Sequence, residues 1–78
     1  MKIKTEHYDH MRNAIAAIVS ANAEAVAKHK AAHNTKRFRW DLFRAARLHT
    51  FASDTLYSYA NDEHIDTALR HIVKELGL

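Results

Sequence analysis

Hydrophobic positions recur along this 78-residue chain at three- and four-residue intervals, with no sustained alternation of the kind a strand needs. Tyr8, Met11, Ile15, Ile18 and Val19 mark one face of a helix over residues 6–20, and Ala14 and Ala17 beside them permit close packing. Thr5 stands where an N-cap belongs, with Glu6 and Asp9 in the first turn, where negative charge suits the helix dipole. Asn22 either caps a second helix, Ala23–Ala32, or lies within one continuous helix. That second segment offers only Val26 and alanines as apolar groups and buries little. His33, Asn34 and Thr35 read as a turn, with Thr35 capping a central helix over residues 36–48. Thr50 is placed to cap a short helix, Phe51–Tyr59, with Ala52, Leu56 and Tyr59 on one face.

The last helix has the clearest pattern. Ile65, Leu69, Ile72 and Leu76 repeat at i, i+4, i+7 and i+11 behind an Asn61 cap and a first turn holding Asp62 and Glu63. Asp66 precedes Arg70 by four residues, the favourable order for a helical ion pair. Gly77 suits the left-handed position just past the end, with Leu78 folding back onto Val73. One glycine, no proline and abundant alanine agree with helix throughout. The expected fold is all-α: a compact single domain, residues 1–78, of four or five short helices. A core this small leaves monomer and homodimer both open.

Charge changes the picture because it is unevenly distributed. Residues 1–27 carry three cations and three anions. Residues 28–47 carry Lys28, Lys30, Lys36, Arg37, Arg39, Arg44 and Arg47 against Asp41 alone, a balance of +6. Residues 48–78 carry two cations and five anions, or −3. The net +3 is therefore that of a dipolar molecule, not of a uniformly basic one.

The central helix divides into two faces. Leu42, Ala45, Ala46 and His49 take the spacing of a core face. Arg37, Trp40, Arg44 and Arg47 form a separate cationic stripe containing the only tryptophan. Two readings compete. As a binding surface, Lys36, Arg37, Arg39, Trp40, Arg44 and Arg47 supply residue types that dominate interfaces. As a solvated edge, arginine stems cover a core tryptophan while Asp41 ties down Arg37 and Arg44. Nucleic acid is a second partner class for the same residues, with cations for phosphates and Trp40 and Phe38 for stacking. No helix-turn-helix, zinc-finger or RNP pattern accompanies them.

Chemistry other than binding finds little support. There is no cysteine, no glycine-rich phosphate loop and no nucleophile motif, so no catalytic residue is assigned. Seven histidines raise the question of metal. His29 and His33 have the i, i+4 spacing of two ligands, but lysines flank His29 and no third ligand of the usual kind is near. His7 with His10, and His64 with His71, are no better supplied. Neither a metal nor a cofactor is expected. No apolar run approaches the ~18 residues of a membrane span, and the N-terminus lacks a signal-type apolar core, so a cytoplasmic protein is expected.

KRFRWDLF (36–43) followed by LYSYANDEHIDTALRHIV (56–73) resembles a stretch found in small uncharacterised proteins of tailed bacteriophages and prophages. It spans about half the chain, and HIDTALR with its preceding Asn-Asp cap is its more specific part. Ala60 and Glu63 depart from the leucine and aspartate frequent there. The resemblance implies a phage-encoded protein in the bacterial cytoplasm, acting stoichiometrically on a host or defence protein or nucleoprotein. It carries no functional residue with it. The reading is thus a small non-enzymatic binding protein, with a nucleic-acid-binding module using the basic helix 36–48 as the alternative.

Overall fold

A computed structural model describes residues 3–48 and 62–78. Four helices occupy them: α1, Thr5–Ala21; α2, Ala23–Ala32; α3, Thr35–Leu48; and α4, Asp62–Glu75. No strand occurs among the described residues, so the all-α expectation holds. The expected Phe51–Tyr59 helix, its Thr50 cap, His49 and the Asn61 cap lie outside those residues.

The caps differ from expectation at two places. The cap of α1 is Lys4, in extended conformation (ψ 144°), whose carbonyl accepts the Tyr8 N–H at 2.9 Å. Thr5 is the first helical residue instead. Ile3, buried in the core, anchors the chain just ahead of it. For α3 the cap is Asn34, whose Oδ1 accepts the Arg37 N–H at 2.8 Å, and Thr35 is again drawn into the first turn. Asparagine caps helices better than threonine, which decides between two adjacent candidates.

Asn22 resolves the question of a continuous helix. Its backbone (φ −134°, ψ 39°) leaves the helical region, and both its N–H and its side-chain Nδ2 donate to the Ile18 carbonyl, at 3.0 and 3.2 Å. It therefore closes α1 and also holds the N-cap position of α2, where its carbonyl accepts the Val26 N–H at 2.9 Å without a side-chain cap bond. As its composition suggests, α2 contributes no fully buried residue, and Val26 packs against the core from its edge.

Helix α3 is the central element, in contact with α1, α2 and α4. It buries Phe38, Arg39, Leu42, Phe43 and Ala46. This corrects the expected core face: Ala45 is only half-buried, and the helix is rotated so that both phenylalanines point inward. Phenylalanine carries far more apolar area than alanine, so that rotation gains the larger burial. Met11 and Ile15 of α1 and Ile65, Leu69 and Ile72 of α4 complete the core, as their stripes anticipate, together with Ala68, while Leu76 of the α4 stripe is only partly buried.

The end of α4 also follows expectation. Gly77 has φ +73°, the Gly77 N–H donates to the Lys74 carbonyl at 3.1 Å, and the Leu78 N–H donates to Val73 at 2.8 Å. That pair of bonds is the Schellman ending, and Leu78 packs against the core. Helices α1 and α4 are tied outside the core by the Tyr8 hydroxyl, which donates to Glu75 Oε2 at 2.8 Å. Arg12 lies 3.2 Å from Asp9 and 3.5 Å from Glu75.

Candidate interaction groove

The six basic and aromatic residues singled out on the central helix do not form one surface. Arg39 departs first. Phe38, Leu42, Phe43 and Ala46 surround it in the helical spacing, so it faces α4 rather than solvent. Its Nε and Nη2 donate to the two carboxylate oxygens of Asp66 at 2.9 and 3.1 Å, with the side chains only 10% and 15% exposed. A guanidinium so placed is a structural ion pair, not a contact residue. Phe38 is likewise buried, which removes it as a stacking platform.

Trp40 lies between core and surface. Its ring meets Phe43 edge-on, with centroids 5.5 Å apart, and its Nε1–H donates to Asp66 Oδ1 at 2.9 Å. The remaining area of the half-buried ring lines an open groove between α3 and α4. Arg47 turns the other way, its guanidinium 5.3 Å from the centre of the Phe43 ring. Burial and the neighbouring Arg44 charge push Arg47 below the ordinary arginine value. It does not line the groove.

Lys36, Arg37 and Arg44 do line it. Asp41 sits between the two arginines on the same helix. Arg44 Nη1 donates to Asp41 Oδ1 at 2.7 Å, and Arg37 Nε approaches Oδ2 at 3.4 Å. Both guanidiniums stay 62% exposed. A third donor comes from α2, since His29 Nε2 lies 2.7 Å from Asp41 Oδ2. Burial pushes the Asp41 carboxyl up, but the hydrogen bonds from His29, Arg44 and Arg37 outweigh it and hold the group below its ordinary value. Lys36 has no partner among the described residues.

The opposite wall is acidic. Glu63 and Asp66 of α4 close the groove, whose volume is about 890 Å³. Asp66 accepts from Arg39 and Trp40, and Arg70 Nε lies 3.0 Å from its Oδ2, the ion pair that the i, i+4 spacing suggests. The Arg39 bonds first, then that of Trp40, hold its carboxyl below the ordinary value against the opposing effect of burial.

His29 of α2 and His33 at its C-cap are in contact with each other. The His29 and His33 rings stack with centroids 4.1 Å apart, and His33 Nδ1 donates to the His29 carbonyl at 3.0 Å. His29 thereby joins α2 to α3 through Asp41, and His33 packs back onto His29. Among the described residues no three histidine, aspartate or glutamate side chains converge as a metal centre needs.

Asp66 is the groove residue that sequence reasoning placed only in a local pair. The signal that locates it lies on its partner: Arg39 stands three, four and seven residues before Leu42, Phe43 and Ala46, inside the apolar stripe. A cation there demands a buried carboxylate from another element. No protein-family model matches the chain, and no curated protein or solved structure matches it.

Proposed function

We propose that this chain is a non-enzymatic binding protein that contacts another protein through the groove between α3 and α4. The observation that carries this reading is the groove's mixed character. It joins exposed Lys36, Arg37 and Arg44 on one wall, Glu63 and Asp66 on the other, and the ring of Trp40. Tryptophan and arginine are the residue types that anchor protein interfaces. Their usual cost of ordering is reduced here, since Asp41 already holds Arg44 and Asp66 already holds Trp40. The resemblance to small phage and prophage proteins supports a bacterial cytoplasmic setting and a stoichiometric action on a host or defence component.

Nucleic acid is the second reading, and the charge balance of the groove counts against it. Arg39 is spent on Asp66, and Asp41 partly neutralises Arg37 and Arg44. Binding to a phosphate backbone depends on uncompensated cations.

Capture from bacterial lysate tests the choice. The wild type immobilised as bait retains a protein after exhaustive nuclease digestion, and the Lys36→Glu/Arg44→Glu variant does not. Retention that vanishes with nuclease favours the nucleic-acid reading. Equal retention by both baits removes the groove from the account.

A further inference from the structure

Helix α2 is held to the rest of the fold by slight contacts. It has 10 residues, and none of them is fully buried. An isolated helix shorter than ~12–15 residues is marginal in water, so α2 stays wound only while it is docked. Val26 packs against the core from its edge, and Lys30 Nζ donates to the Leu78 carbonyl at 2.9 Å. His29 Nε2 donates to Asp41 Oδ2 at 2.7 Å, and this bond lands on the α3 wall of the groove. We infer that α2 is a strap that opens by local unfolding while the other helices stay folded, and that Asp41 couples its docking to the groove wall. This goes beyond the protein-contact reading and holds whatever the groove takes.

The two oxygens of Asp41 are divided between the elements they join. Arg44 Nη1 holds Oδ1 at 2.7 Å, which fixes the carboxylate so that Oδ2 faces His29. Arg37 Nε approaches the same Oδ2 at 3.4 Å, a longer and weaker contact. The Asp41 side chain is 25% exposed, against 38% for His29 and 62% for each arginine, so the shared anion is the member least free to reorient. A displacement of Arg44 on the groove wall therefore reaches α2 through Asp41. By reciprocity, opening of α2 reaches Arg44. Asn22 on one side, and His33 with Asn34 on the other, make the connections to α1 and α3 short, and an opened α2 stays beside its seat. His29, Asp41 and Arg44 act here as positioning residues.

Amide hydrogen exchange of the whole chain, followed residue by residue by NMR at constant pH, tests both halves of the inference without any partner. In the wild type, the amides of residues 26–32 are expected to exchange through an opening that low urea leaves unchanged, while those of Leu69 and Ile72 respond to urea as global unfolding does. Asp41→Ala should speed exchange in α2 about threefold beyond any change at Leu69 and Ile72, the worth of one half-exposed ion pair. His29→Val keeps the helix propensity of histidine and should speed it at least as much. In the His29→Val background Asp41→Ala should add nothing, because its effect on α2 passes through that one bond. Arg44→Gln separates coupling from simple docking, since the substitution lies on the groove wall. It should speed α2 exchange about twofold, and not at all once Asp41 is alanine. Lys36→Gln, on the same wall but away from Asp41, should leave α2 unchanged. Exchange of α2 only with global unfolding overturns the strap. An Asp41→Ala effect that persists beside His29→Val, or an Arg44→Gln effect no larger than that of Lys36→Gln, overturns the coupling.

Discussion

Arg39 of α3 and Asp66 of α4, 27 residues apart, form a two-bonded ion pair at 2.9 and 3.1 Å, almost out of water beside the core. Asp66 also takes the Trp40 N–H, so one carboxylate fixes both the α3–α4 contact and the floor of the groove. The groove is thus a consequence of how the core closes, not an addition to its surface.

Removing that carboxylate strands a guanidinium in low dielectric. Asp66→Asn is expected to lower unfolding free energy by about 3 kcal/mol, the range for breaking one side of a buried pair. Replacing both partners with apolar residues, Arg39→Met/Asp66→Leu, should recover most of the loss. Urea denaturation measures both. A cost below about 1 kcal/mol for Asp66→Asn means that the pair is solvated.

The same carboxylate sets the response to acid. Asp66 is held below its ordinary value of 3.8, chiefly by Arg39. The native state therefore binds this proton less readily than the unfolded chain does. Its contribution is complete well above the unfolded value and is lost as pH falls through that value toward the lowered native one. Asp41, also lowered, acts in the same direction. The urea midpoint of the wild type should fall more steeply from pH 6 to pH 3 than that of Asp66→Asn. Parallel curves contradict the assignment.

Leu69 is fully buried at the centre of the α4 stripe. Leu69→Ala is expected to cost about 2–5 kcal/mol by leaving a cavity. For a domain of ordinary stability, roughly 5 kcal/mol at the low end, that loss approaches complete unfolding. Thermal melting or urea denaturation gives the value, and a loss under about 1 kcal/mol would show that the site collapses without penalty.

What could be seen in the sequence follows from the range of each interaction. The α4 stripe, the Gly77 ending, the pairing of Asp66 with Arg70 and the flanking of Asp41 by Arg37 and Arg44 all lie within one or two helical turns. Local spacing reveals them. The orientation of α3 was harder to read, because Arg39 and Phe38 are adjacent and pattern alone does not say which faces inward; both do. Treating Arg39 as a surface cation and Phe38 as a stacking platform placed two core residues on the contact face. The link from His29 to Asp41 spans 12 residues and joins two helices, which no periodicity reports. The caps of α1 and α3 each slipped by one residue for a local reason, a buried Ile3 and a better-placed Asn34.

Site-specific photocrosslinking in bacterial cells tests most directly whether the α3–α4 groove is the contact surface. A photoreactive phenylalanine analogue replaces Lys36 or Arg44 on the groove wall, and in a parallel sample Ser20, exposed on α1 and outside the groove. The account predicts a discrete, nuclease-resistant protein adduct from positions 36 and 44 and none from position 20. Adducts confined to position 20, or nucleic acid as the adduct at 36 and 44, would contradict it.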